Sequence, residues 1–227
     1  MAGKRTLNAK NLQTLGAAAL AELLIEVSAG NAVMQRRLRL ALAAAEGADG
    51  AAQEVRKRLV AIARSNTFID SAKRKALLAD LEAQQQAISG PIATADPALA
   101  VELQVRLLEL SEGVLDRCSD STGAVIGVFQ RGVAALATLA AAAGPAGLSP
   151  EALVVHAAEL LQENGYGQFA GLIPALAPAL GAAGLVQLEA ALLKFTHTFG
   201  PINFASGANS QVIVSVDRFP HTKIRRV

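Results

Sequence analysis

Pro97-Ala98-Leu99-Ala100-Val101-Glu102-Leu103-Gln104-Val105-Arg106-Leu107-Leu108-Glu109-Leu110-Ser111-Glu112-Gly113-Val114 is the stretch that decides the fold class. Leu99, Leu103, Leu107, Leu110 and Val114 recur at spacings of three and four, the period of one helix face. Asp96 stands just ahead as a cap, and Pro97 at the first helical position gives up no intrahelical bond.

The same period recurs on both sides of this stretch. Upstream lie Leu20, Leu23, Leu24 and Val27, then Met34, Leu38, Ala41 and Leu42. Val55, Leu59 and Ile62 follow, then Leu77, Leu78, Leu81 and Ile88. Downstream come Val125, Phe129, Leu136 and Leu139, then Leu153, Ala157, Leu160 and Leu161, and last Leu185, Leu188, Leu192 and Phe195. Gly30-Asn31 and Gly47 end helices, and Ser149-Pro150-Glu151 starts one. Pro174 and Pro178 each remove a backbone donor, so the helix that holds them is kinked, short or split.

About nine or ten amphipathic helices with short connections make an all-α protein, arranged as a bundle or a solenoid-like stack. Three segments are expected. Residues 1–90 form a basic helical part, with its boundary at Gly90-Pro91. Residues 91–199 form an acidic, alanine-rich helical part packed on it. Residues 200–227 form a non-helical tail in which Gln211–Val216 reads as one strand.

Composition narrows the function classes. The chain has 227 residues, enough to bury roughly 70–75% of its extended surface. It has one tyrosine and no tryptophan, which argues against an immunoglobulin-type sandwich and against an aromatic base-stacking surface. One cysteine excludes an internal disulfide framework and a cysteine-based zinc site. Lys4, Arg5 and Lys10 precede an apolar stretch, but Glu22 and Glu26 inside it are foreign to a signal sequence. The uncharged run Asn164–Leu188 holds five glycines and two prolines, so it reads as a buried helix pair rather than a membrane span. A cytoplasmic bacterial-type protein with no membrane partner is expected.

A net charge of +2 conceals a segregation. Residues 1–80 carry 13 basic and 7 acidic side chains, residues 81–190 carry 3 and 11, and residues 191–227 carry 5 and 1. The head is basic and the middle acidic.

Three patches carry a family resemblance. They are Thr6–Leu12 with Leu20–Glu26, Arg36–Leu40 with Glu54–Leu59, and Asn164–Phe169 with Gly171–Ile173. They resemble a bacterial family of helical proteins of unknown function, over roughly residues 6–195. The family carries no established catalytic motif, so the resemblance transfers no active-site residue. Its members often continue with further helices. The chain leaves the pattern near Phe195, which implies a truncated or divergent member.

No catalytic constellation stands out. His156, Glu159 and Glu163 share a helix face, but a helix-bundle di-iron site needs carboxylates from several helices. They read as a polar face, and neither a metal nor a cofactor is expected. Cys118 sits between Asp116 and Asp120, which would raise its pKa rather than activate it. Tyr166, between Gly165 and Gly167, reads as a ring that plugs a helix corner with its hydroxyl on a local carbonyl, or else as a contact residue.

The basic clusters are the most informative feature: Arg36, Arg37 and Arg39; Arg56, Lys57, Arg58 and Arg64; and Lys73, Arg74 and Lys75. Lys57 and Arg64 point away from the Val55–Leu59–Ile62 face, and Arg56 and Arg58 flank it. Lys73, Arg74 and Lys75 occupy the first turn of a helix capped by Asp70 or Ser71, where cations are unfavourable. With Tyr166, these are the candidate interaction residues. The expected function is a non-catalytic interaction or adaptor module with a protein partner. The alternative is nucleic-acid binding through the basic helices of residues 36–75. The oligomeric state is not legible in the sequence.

Overall fold

Caps fix where the helices begin. In the computed structural model, which describes residues 6–144, 147–199, 202–204 and 214–216, Asn8 caps α1 (Ala9–Gln13) and Asn31 caps α3 (Ala32–Glu46). Between them runs α2 (Gly16–Ser28). Gly47, at φ 150°, ends α3 and opens α4 (Ala48–Ala63). Asp70, not Ser71, caps α5 (Ser71–Ala87), accepting the Ala72 and Lys73 N–H groups. A π-helical turn (Ile88–Ile92) and α6 (Ala93–Ala95) lead to α7 (Pro97–Leu108), capped by Asp96. Then come α8 (Ser111–Leu115) and α9 (Ala124–Ala143), whose first N–H groups reach Asp120 Oδ2. Ser149 caps α10 (Pro150–Gln162), and α11 (Leu172–Phe199) closes the helical series.

The core is built around α7. Ala100, Val101, Leu103, Gln104, Val105, Leu107 and Leu108 are all buried, and only the Glu102–Arg106–Glu109 edge faces out. α7 packs on α9 and α4, α9 on α11, α11 on α10, and α3 on α4. One apolar cluster runs from Leu40 on α3 to Leu192 on α11. A helix covered on all but one edge marks a bundle rather than an open stack in which every helix keeps an outer face. The α7–α9 approach is close. A Cβ on Gly132 would stand 2.8 Å from Leu108 Cδ2, and Gln104 Nε2 donates to the Gly132 carbonyl at 2.9 Å.

The expected kink is present. Pro178 lies inside α11, and Gly181 three residues on takes φ 62°, breaking the helix there. Other expectations need correction. The Leu99–Val114 stripe is two helices, because Leu110 N–H bonds back to the Leu107 carbonyl and tightens the turn after Leu108. On α3 the core residue is Leu40, while Leu42 is exposed, since α3 meets the small residues of α4 along its Leu40 and Ala44 side. Gly90 and Pro91 lie within the π turn, flanked by buried Ile88 and Ile92. In the Leu20–Val27 stripe of α2, Leu20 is half-buried and Leu23, Leu24 and Val27 are exposed; only Ser28 of that helix is buried.

The tail strand is paired. Val214–Val216 runs antiparallel to Ile202–Phe204, with Ile202 opposite Val216. Gln211–Ile213, His221, the basic end Lys223–Val227 and the side chain of His197 lie outside the described residues. By length and composition alone, Ala124–Ala143 and Leu172–Lys194 could each cross a membrane. The core helix of a folded body passes the same test, and α9 contributes Val125, Val128, Phe129, Val133 and Leu136 to this core.

Candidate functional site

The three basic clusters lie on three successive helices, and packing α3, α4 and α5 together brings one residue from each into a single cleft. Arg36, Arg58 and Lys73 line it around Asp80 of α5. Asp80 is only 3% exposed. Its Oδ2 accepts from Arg58 Nε at 2.7 Å and from Arg36 Nη2 at 3.4 Å, and its Oδ1 accepts from Gln84 Nε2 at 3.3 Å. Two of the cations singled out in the sequence therefore hold the fold. A buried carboxylate without them would carry an uncompensated charge.

Half of the remaining clustered cations are engaged inside the chain. Lys57 pairs with Glu54 at 2.8 Å, and Arg56 stands 3.9 Å from Glu102, which Arg106 also holds at 2.8 Å. Lys73 stands 3.8 Å from Asp70. The unfavourable cations at the start of α5 are thus offset by its cap. The Asp70 carboxyl is held below the ordinary aspartate range, first by its bond from the Lys73 N–H. Arg74 donates to the Ser119 carbonyl at 2.7 Å, beside the parallel bridge between Ile69 and Cys118. Among the described residues, Arg37, Arg39, Arg64 and Lys75 are exposed with no intramolecular acceptor for their side chains. Arg39 stands with Arg36, Lys57 and Arg58 along a second groove, where Arg36 Nε and Gln84 Oε1 are buried without hydrogen-bond partners.

Tyr166 is not the corner plug. Its ring is 46% exposed, and its hydroxyl donates at 2.7 Å to Asp116 Oδ1, a carboxylate fifty residues away rather than a local carbonyl. That bond, with burial second, pushes the phenol up to about 12. Phe169 is the plug, fully buried, with its N–H held by Asn164 Oδ1 at 2.7 Å. Buried Gln168 completes the corner, donating to Ser111 Oγ and to the Glu163 carbonyl. Gly167 supplies the positive φ, 73°, that the turn needs. The Asn164–Phe169 patch is therefore a structural latch between α8 and the α10–α11 pair.

Cys118 is free, and its thiol is pushed up first by burial and next by Asp120. Asp120 acts in the direction expected, while Arg74 and Arg117 pull the other way.

Two features escaped the sequence reading. The first is a cleft of about 530 Å³ along the polar edge of α7, lined by Arg56, Glu102, Arg106, Glu109 and His156. There His156 meets Glu109 and Glu159, whereas sequence spacing had grouped it with Glu159 and Glu163. Glu109 and His156 are forty-seven residues apart, so no local spacing signals the pair. The second is the bare face of α2. Leu23, Leu24, Ile25 and Val27 are exposed, Ile25 at 71% and Val27 at 57%, with Leu7 and Leu15 exposed beside that helix in sequence. Helical period announces an apolar stripe but not what covers it.

No curated protein and no solved structure matches the chain. The match to a family extends past Phe195, where the resemblance was expected to stop, and takes in the paired tail strands. It spans residues 2–221, and the chain belongs to that family, described as a family of unknown function (DUF6880).

Proposed function

We propose that the chain is a non-catalytic helical interaction module that captures a protein partner on the exposed face of α2. The observation that carries this reading is the bare apolar stripe of Leu23, Leu24 and Val27, with Leu20 half-buried beside it, on a thirteen-residue helix of which only Ser28 is buried. Contiguous exposed apolar surface of this kind marks an interaction site on a folded domain. Glu22 and Glu26 are the only charges on α2. The matching partner is an amphipathic helix with cations beside its apolar ridge, docked helix to helix.

The test is capture from a nuclease-treated lysate with three baits: the unaltered chain, L23S/L24S/V27S, and R37A/R39A/R64A/K75A. The reading expects a protein retained by the first and third baits and lost by the second. A ligand lost after nuclease, or lost only by the third bait, overturns it.

A second reading, nucleic-acid binding, is favoured by the meeting of three basic clusters at the α3–α4–α5 junction. Internal pairing limits it, because four cations there lack intramolecular acceptors. Each duplex phosphate contact contributes about 0.9 to the log–log salt slope. Binding through Arg37, Arg39, Arg64 and Lys75 alone would give a slope of about 4 at most, and R37A/R39A would lower it by about 2. The ultraviolet spectrum of the purified chain reads the same question. With one tyrosine and no tryptophan, bound nucleic acid would dominate it.

A further inference from the structure

Glu109 follows the last residue of α7, and its carboxylate faces α10 where His156 and Glu159 sit one turn apart. One ligand-capable atom of each side chain lies within 4.8 Å of the other two. His156 Nδ1 stands 3.4 Å from Glu159 Oε2 and 3.8 Å from Glu109 Oε1. Ligand atoms about 2.0–2.2 Å from a tetrahedral ion are themselves about 3.3–3.6 Å apart. The first distance already fits, the second closes with a few tenths of an ångström of side-chain motion, and the two carboxylates, within 4.8 Å of each other, draw together by rotation of their exposed side chains.

The ring nitrogen itself is placed to face an ion. His156 Nδ1 is screened from solvent, yet no hydrogen bond reaches it. The atoms that face it are the two carboxylate oxygens already named, and the neutral form of an imidazole presents a lone pair to an ion at such a nitrogen.

We propose that Glu109, His156 and Glu159 form a three-ligand site for a divalent transition-metal ion of the zinc type. One imidazole nitrogen and two carboxylate oxygens suit zinc, cobalt or nickel better than calcium or magnesium, which favour all-oxygen shells. The site borders the cleft along α7, so a fourth coordination position can open toward it. Arg56 and Arg106 line the same cleft and suit an anionic ligand there. The site is separate from α2 and does not depend on the reading of that helix.

The test uses the full, tag-free chain stripped with chelator and titrated with cobalt(II), read by visible absorption, with zinc displacement read by calorimetry. The proposal expects one equivalent per chain, displaced by zinc and not by magnesium. H156A and E109Q should each weaken binding by more than the roughly 10–100-fold that loss of an outer-shell partner costs. C118S and E163Q should bind as the unaltered chain does. His156 and Glu109 are both half-exposed, and E109Q keeps the side-chain shape, so an unfolded H156A leaves the question decidable. No binding, binding that survives both ligand variants, or binding lost in C118S overturns the proposal.

Discussion

At the scale of single residues, a few polar side chains hold the junctions between helices. Asp80 ties α3 and α4 to α5 through Arg36 and Arg58. Removing one partner of a buried pair costs about 3–5 kcal/mol. D80A should therefore lower the urea midpoint by the equivalent of about 3 kcal/mol. R36A, at the longer and more exposed bond, should cost about 1 kcal/mol or less. Equal losses would contradict this division of labour. Tyr166 offers a cleaner test, because it is the only tyrosine. Its phenolate absorbance should titrate with a midpoint near 12 in the folded chain. It should titrate near 10 after unfolding in urea. D116N should bring the folded midpoint down. The folded value lies above the unfolded one, so the bond contributes fully at every pH below about 10 and is lost as pH rises through the folded value. A folded midpoint near 10 would show that the bond to Asp116 is absent in solution.

At the scale of elements, two contrasts follow from burial. Gly132 sits where α9 crosses α7, and an added methyl would meet Leu108 and Gln104 at 2.8 and 3.0 Å. Helix propensity favours alanine over glycine by about 1 kcal/mol. Overpacking costs about 1–3 kcal/mol. G132A should therefore destabilise despite its better propensity, and a raised melting temperature would show that the α7–α9 contact is looser than described. The second contrast sets α2 against α7. L107A should cost about 2–5 kcal/mol, the range for a fully buried leucine. L24A, on the bare face of α2, should change stability by about 0.5 kcal/mol or less. A large loss in L24A would mean that something covers α2 in the free chain.

Much at this scale was legible in the sequence. Asp96, Asp70, Ser149 and Gly47 announce helix ends through local chemistry, and the structure uses each as read. Leu59, Ile62, Leu103 and Leu107 fall on the face that helical period assigns to the core. What failed was information about neighbours. Leu20–Val27 has the period of a buried stripe, yet its Leu23, Leu24 and Val27 are exposed. The meeting of Glu109 with His156, and the drawing of Arg36 and Arg58 onto Asp80, depend on how helices pack. No short-range spacing encodes either.

At the scale of the whole molecule, the charge segregation takes on a structural meaning. Part of the basic head's charge is paired within the chain. Asp80, Glu54, Asp70 and Glu102 engage its cations, and Arg74 caps a neighbouring loop. Among the described residues, α2 leaves an apolar stripe of Leu23, Leu24 and Val27 exposed. The most direct test is hydrogen exchange, residue segment by residue segment, on the chain alone and on the complex recovered with its captured partner. Protection gained over residues 16–28, with residues 36–75 unchanged, is the result expected of a module that docks its partner on α2. Protection gained over 36–75, with 16–28 still exchanging as in the free chain, would contradict it.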